Sequence, residues 1–307
     1  MERDIRERVG LDHADILRLN FVRAPSRFVF RRHYRAGLRS HLMEVLRPED
    51  LERERKGTAG DGPRTYPRAV PVKMLRIFRS RFPDLAAARE ELMREKIVER
   101  FLAPDHMAHS EEFLVDYLRD GTREILLCGL QEYVKGEILD PWGHLDRACL
   151  ESLHRRMASE GGPAGDRGPG YWLEAVRASA EGFVDRTRRM ILEAGHVPDL
   201  AGVGNLLLTP AGGIRLVDIN NISRVSFDGV IQVDDRGYPV CDKAIEALSL
   251  LEAGLLGRRP RKEDPIYGVF LTPGRMSRVR EMEAEFHRAM AVGGAVPPPP
   301  PPDERRW

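Results

Sequence analysis

The first half of the chain alternates between short apolar runs and polar breaks, a pattern typical of β-strands. The runs cover residues 28–34, 41–46, 69–78 and 124–134. Between the third and fourth runs, apolar residues recur close to the helical period from Leu85 to Leu102, and Pro83 precedes them. We therefore predict a β-rich region with one inserted helix.

The second half is mainly helical in pattern. An apolar stripe predicts a helix over Tyr171–Ala194, with Gly195 as its C-terminal cap, and a second buried helix over 242–257. Between them, NLLLT and IRLVDI flank a Pro-Ala-Gly-Gly turn, which predicts a hairpin over 205–219. The order of elements predicts an α+β protein of two lobes joined by a hinge, with a cleft between the lobes.

Breaks in composition suggest where these regions begin and end. Residues 48–68 are charged and interrupted by glycine and proline, so we expect a flexible insertion there; 159–170 has the composition of a loop. Six consecutive prolines in the tail predict extended polyproline that need not pack. The predicted organisation is an N-terminal extension (1–26), a β-rich N-lobe (27–134), a helical C-lobe (135–292) and a disordered Pro-rich tail (293–307).

Composition excludes several classes of protein. No run of about 18 apolar residues is present and the N-terminus is charged, so we expect a cytoplasmic protein without a membrane partner. Three widely spaced cysteines argue against a disulfide framework or a zinc cluster. The net charge of +1 argues against bulk electrostatic binding of nucleic acid. Residues 16–43, rich in arginine and aromatic side chains, keep single-stranded nucleic acid open as a minor alternative.

The candidate chemistry centres on the predicted hairpin. Asn205 opens its first strand and Asp218 stands near the end of its second, so a tight hairpin brings an amide oxygen and a carboxylate together. Two hard oxygen ligands completed by phosphate oxygens suit Mg²⁺. Asp199, on the preceding loop, could accept a proton from an attacking hydroxyl. The plainer alternative is that all three are polar residues at strand ends.

This segment, HVPDLAGVGNLLLTPAGGIRLVDINN, resembles the catalytic loop and metal-binding motif of the protein-kinase-like superfamily. The interval of 13 positions from Asn205 to Asp218 is familiar in that family. Within it, the chain is most similar to bacterial kinase-like proteins of the PhoP-regulatory-network type. The resemblance implies a two-lobed kinase-like fold, ATP and Mg²⁺ as ligands, and transfer of the γ-phosphate to an acceptor that the sequence does not identify.

The resemblance also implies roles for residues of the N-lobe. Val70-Pro71-Val72-Lys73 looks like the V-A-I-K strand of the family, and Lys73 is one of only six lysines among 49 basic residues. The resemblance implies that Lys73 holds the phosphates. A glutamate of the following helix would orient it, either Glu95, which we prefer, or Glu91 one turn earlier.

Further roles follow for the hinge and the first turn. The stretch LLCGLQEYVKG resembles the fifth strand and hinge, so Glu132, Tyr133 and Val134 would contact adenine through their backbone. Gly37 occupies the turn where the family has a glycine-rich loop. Asp242 looks like the aspartate of the central buried helix that braces the catalytic loop, although a simple N-cap has the same appearance.

The chain departs from the family pattern in several places. Asp199 precedes Asn205 by six positions instead of five, D-I-N replaces D-F-G, and no G-x-G-x-x-G follows the first strand. Only 23 residues separate Asp218 from Asp242, without an A-P-E motif, which favours a small-molecule or specialised protein acceptor. These departures keep a second hypothesis open, a pseudokinase that binds nucleotide or partners without turnover. The oligomeric state is not indicated by the sequence.

Overall fold

The protein is of the α+β class, and the computed structural model describes residues 4–19, 21–34, 39–58, 63–159 and 168–292. The chain divides into two compact units: Met1–Met93 with Ala108–Tyr133, and Arg94–Met107 with Val134–Trp307. Gly37 and the Pro-rich tail, both named above, lie outside the described residues.

The first unit is built on a five-stranded antiparallel sheet of order β1-β2-β3-β5-β4. Its strands are β1 (Val29–Arg32), β2 (Ser40–Leu46), β3 (Lys73–Phe78), β4 (Ser110–Arg119) and β5 (Thr122–Glu132). Four of them overlap the predicted runs, although β3 begins at Lys73, four residues later than predicted. The fifth, β4, was not predicted, because its sequence SEEFLVDYLR carries four charged residues and only part of its length is buried. Helix α3 covers Leu85–Leu102, as predicted.

One face of this sheet is covered by the N-terminal segment. Ile5, Leu11 and Ile16, the last in the short helix α1 (His13–Leu17), join one apolar cluster with Leu75 and Ile77 of β3. The predicted N-terminal extension is therefore part of the hydrophobic core of the first unit. Burial of these side chains against the sheet supplies the driving force for that packing.

The prediction of a flexible insertion at 48–68 was wrong for its first half, because helix α2 covers Pro48–Lys56. Proline at its first turn, acidic residues near its N-terminus and basic residues near its C-terminus all favour a helix. Leu51 anchors it in a small apolar cluster, and Gly57 ends it with a φ of 68°. The charged composition obscured these local signals.

The second unit is mainly helical around one large core. Its helices, besides the C-terminal part of α3, are α4 (Arg147–Ser159), α5 (Gly168–Ala194), α6 (Val240–Leu256), α7 (Tyr267–Phe270) and α8 (Pro273–Val292). Helix α6 is buried on almost every side, and α5 contributes fully buried residues such as Phe183 and Met190. The sequence predicted α5 and α6 but treated α6 as the last helix, so α7 and the highly charged α8 were missed. No helix of the described part of the chain is long and apolar enough to cross a membrane.

Short strands complete the second unit. Strand β6 (Glu137–Ile138) pairs with β8 (Leu206–Leu208), which pairs with β9 (Ile214–Leu216), and β7 (His196–Pro198) pairs with β10 (Ile222–Arg224). All of these pairings are antiparallel. They place the predicted hairpin and the loop before it in one small region, where the candidate chemistry lies.

Candidate functional site

The β8–β9 hairpin brings Asn205 and Asp218 to the same end of the ribbon. Leu206 faces Leu216 in the register, and the N–H of Val217 donates to the carbonyl of Asn205 at 2.8 Å. Val217 is therefore the residue directly opposite Asn205, and Asp218 follows it. The position of both strands is fixed by the burial of four side chains in the core, those of Leu206, Leu208, Ile214 and Leu216. Gly212, with a φ of 83°, permits the tight turn at the other end.

The amide of Asn205 is held in one orientation. Its Nδ2 donates to the carbonyl of Asp199 at 2.8 Å, so that its Oδ1 is left to accept from, or ligate, another group. Gly202 makes this possible, because a Cβ at that position would stand 2.5 Å from the amide nitrogen of Asn205. The fixed amide is a suitable oxygen ligand for a hard cation.

Asp199 and Asp218 are tied to their own loops by backbone hydrogen bonds. Oδ1 of Asp199 accepts from the N–H groups of Ala201 at 2.9 Å and Gly202 at 3.2 Å. Oδ1 of Asp218 accepts from the N–H of Asn220 at 3.0 Å. The N–H of Asp199 donates to the carbonyl of Asn221 at 2.9 Å, which connects the two loops. The three residues predicted from the hairpin sequence thus share one region of the second unit.

A cluster of side chains that no sequence motif had indicated lies beside this loop, and it includes the exposed Trp142 and the buried Lys243. Nε1 of Trp142 donates to the carbonyl of Ala201 at 2.9 Å. The ammonium of Lys243 lies 4.1 Å from the centre of the Trp142 ring and forms ion pairs with Glu246 and Glu283, at 2.7 and 3.0 Å. The only signal in the sequence was a lysine inside the apolar stretch of α6.

Tyr238 extends this cluster towards Asp199. Its hydroxyl donates to Oε1 of Glu283 at 3.1 Å. Burial, and then the negative charges of Glu283 and Asp199, raise the pKa of Tyr238 well above its usual range, so the phenol stays neutral. The surroundings of the loop therefore combine one cation with several carboxylates.

Asp242 differs from both predicted roles. It is the third residue of α6, where Pro239 is the cap, and its carboxylate is completely buried. It accepts from Arg275 of α8, whose Nη2 lies 3.1 Å from Oδ2 of Asp242 and 3.0 Å from the carbonyl of Val230. Through Arg275, Asp242 thus supports the segment that follows Asp218. The sequence analysis had predicted that it supports the catalytic loop.

The residues predicted for the hinge and for the glutamate of α3 are divided between the two units. In the first unit, the N–H of Glu132 donates to the carbonyl of His109 at 2.8 Å, so it is already used within the sheet; Tyr133 is more exposed. Val134 begins a segment of the second unit. Glu91 lies in the N-terminal part of α3, within the first unit, and Glu95 in the part assigned to the second, where it is 2% exposed.

Lys73 opens β3 and shares its face with Leu75 and Ile77, since side chains alternate along a strand. Its register partners are Val45 and Glu132. Val45, Leu75 and Ile77 all belong to the apolar cluster that includes the N-terminal segment. Arg76, which our sequence analysis did not single out, lies on the opposite face of the same strand and is 3% exposed.

The donor set at the hairpin fits Mg²⁺ only together with a ligand of its own. Within the described ranges no group of three or more His, Cys, Asp or Glu side chains could hold a metal ion. Asn205 and Asp218 offer two oxygen ligands, and Mg²⁺ is commonly held by one or two protein oxygens with phosphate oxygens and water completing the octahedron. The pair therefore suits a cation delivered with a polyphosphate.

Comparisons of the chain with protein-family models and with the sequences of curated proteins find no match. The arrangement of its own residues is therefore the basis for the function that follows.

Proposed function

We propose that the protein is an ATP-dependent phosphotransferase with a two-lobed kinase-like fold, which transfers the γ-phosphate to a hydroxyl acceptor. The observation that carries this proposal is that the hairpin places Asn205, whose amide is oriented, and Asp218 at the same end of its two strands. These two residues would hold Mg²⁺, which neutralises charge that develops on the phosphate oxygens.

The order of elements supports the kinase-like fold. A five-stranded antiparallel sheet has a helix inserted after its third strand, and that strand carries two candidate cations, Lys73 and Arg76. A mainly helical unit follows, in which the hairpin with Asn205 and Asp218 precedes a buried helix. In protein kinases, the phosphate-binding lysine is on the third strand and the metal ligands follow in the same order.

Asp199 is the residue that would orient or deprotonate the acceptor hydroxyl. It lies within the same region as the metal ligands, since its carbonyl accepts the amide of Asn205. The contribution of the protein to the reaction would be mainly positioning and electrostatic stabilisation of an in-line transfer. The acceptor is a small molecule or a specialised protein, in keeping with the short segment between Asp218 and Asp242.

One observation favours the alternative, a pseudokinase that binds nucleotide or a regulatory partner without turnover. Oδ1 of Asp199 accepts two backbone hydrogen bonds, which is the behaviour of a residue that caps a loop. A carboxylate whose Oδ1 is committed to its own loop in this way has a structural role that needs no turnover.

Turnover of radiolabelled ATP separates the two hypotheses. The purified protein is incubated with Mg²⁺ and [γ-³²P]ATP, and released or transferred phosphate is measured. We expect turnover that is abolished by Asp218→Ala. Asp228→Ala is the matched control, because Asp228 also accepts a hydrogen bond from the backbone two residues ahead. Nucleotide binding without turnover would favour the pseudokinase, and no binding at all would contradict the phosphotransferase.

A further inference from the structure

The two faces of the first unit's sheet differ in chemical character. On one face, Leu75 and Ile77 of β3 pack with the N-terminal segment in an apolar cluster. The other face carries Arg76 together with two buried apolar residues of β3, Met74 and Phe78. Arg76 stands opposite Gly129 of β5, and Gly129 stands opposite Glu112 of β4. The neighbouring row of that face includes Gln131 and Ser110, which are also register partners.

The polar face contains buried groups that lack hydrogen bonds. Nε2 of Gln131, Oγ of Ser110 and Oε1 of Glu112 are buried without a hydrogen-bond partner among the described residues. Gln131 and Ser110 are only 3% and 4% exposed. Such groups cost free energy unless water or a ligand satisfies them. The polar face therefore has capacity to bind a hydrogen-bonding ligand.

Arg76 is the cation of this face. Its Nη2 donates to Oε1 of Gln131 at 3.1 Å, which fixes the orientation of the Gln131 amide and directs its Nε2 elsewhere. Gly129 has no side chain, and a Cβ there would meet Oε1 and Cγ of Glu112 at 3.4 and 3.7 Å and Oγ of Ser110 at 3.6 Å, so side chains of β4 line the position opposite Arg76. Arginine presents several donors in a fixed plane, a geometry that matches phosphate oxygens.

We propose that Arg76, and not Lys73, is the residue of β3 that contacts the phosphates of the bound nucleotide. This inference rests on the proposed function and assigns the nucleotide to the polar face of the sheet. Gln131 directly precedes the predicted hinge, so the same face leads to the residues expected to contact adenine. Lys73 lies on the face occupied by the N-terminal segment.

The test compares ATP with adenosine, because only ATP has phosphates. Binding of each to the full chain, with Mg²⁺ present, is measured by calorimetry for the wild type, Arg76→Gln, Arg76→Lys and Lys73→Gln. We expect Arg76→Gln to weaken ATP about tenfold or more, the size of a lost charge-assisted hydrogen bond, and to leave adenosine within about twofold. Arg76→Lys should keep part of the preference for ATP, and Lys73→Gln should keep all of it.

The outcomes separate this inference from the proposed function. If the wild type binds ATP and Arg76→Gln weakens ATP and adenosine equally, Arg76 has only a structural role and the inference is overturned. Loss of the preference for ATP in Lys73→Gln overturns it as well, and this variant decides the question if Arg76→Gln does not fold. If the wild type binds neither ligand, the proposed function itself fails.

Discussion

His41 makes the stability of the first unit depend on pH. It lies on the apolar face of the sheet, 5% exposed, and its Nε2 is 2.8 Å from the carbonyl of Ile5. Nε2 must donate to that carbonyl, so Nδ1 is the acceptor that faces Nη2 of Arg79 at 3.4 Å. A second proton on the ring would place an N–H against a guanidinium.

Burial, and then the positive charge of Arg79, lower the pKa of His41 from 6.5 to about 4. The unfolded chain therefore binds more protons than the folded chain between about pH 4 and pH 6.5. Folding stability must fall as the pH falls through this window. With 1.36 kcal/mol for each unit of pKa, His41 costs the folded state about 2 kcal/mol at pH 5, and about 3 kcal/mol below pH 4.

The assay is denaturant unfolding followed by circular dichroism at pH 7.5 and pH 5.0. His41→Gln keeps a donor for the Ile5 carbonyl but removes the titrating ring, so its loss of stability between these pH values should be about 2 kcal/mol smaller than that of the wild type. His109→Gln, at a largely exposed histidine, is the control and should match the wild type. An equal loss in His41→Gln and the wild type would refute this account of His41.

Two further predictions concern the second unit. Gly202→Ala should weaken binding of Mg·ATP about tenfold in calorimetry, because its Cβ displaces the Asn205 amide. Gly274→Ala is the control and should leave the affinity unchanged, because a Cβ there meets nothing within 4 Å. Equal affinities of the two variants would show that the amide orientation is unimportant. Asp242→Asn should lower the free energy of unfolding by about 3 kcal/mol, because Arg275 stays buried without its counter-charge. The double variant with Arg275→Met should recover part of this loss in denaturant unfolding, and no recovery would contradict the pairing.

Much of the fold follows from local pattern. The apolar alternation of β2, β3 and β5 and the helical period of α3 and α5 predicted elements that the structure contains. The elements that were missed, such as α2 and β4, bury only part of their surface and present charged residues to solvent. Periodicity is weak in such segments, because capping, ion pairs and neighbouring strands stabilise them.

The candidate site shows a similar division. The hairpin register could be predicted, because a turn signal between two apolar strands fixes which residues meet at the open end. The Asn205 orientation could not, since it depends on the carbonyl of Asp199 and on the space above Gly202. Arg76 was overlooked because lysine was the expected residue type, and only the alternation of faces along β3 distinguishes it from Lys73.

The most direct test of the central claim is a calorimetric titration of ATP into the protein, once with Mg²⁺ and once with EDTA. If Asn205 and Asp218 hold a cation that arrives with the triphosphate, ATP binds at one site with Mg²⁺ and at least about tenfold more weakly with EDTA. Equal affinity in the two titrations, or no binding in either, would contradict the claim.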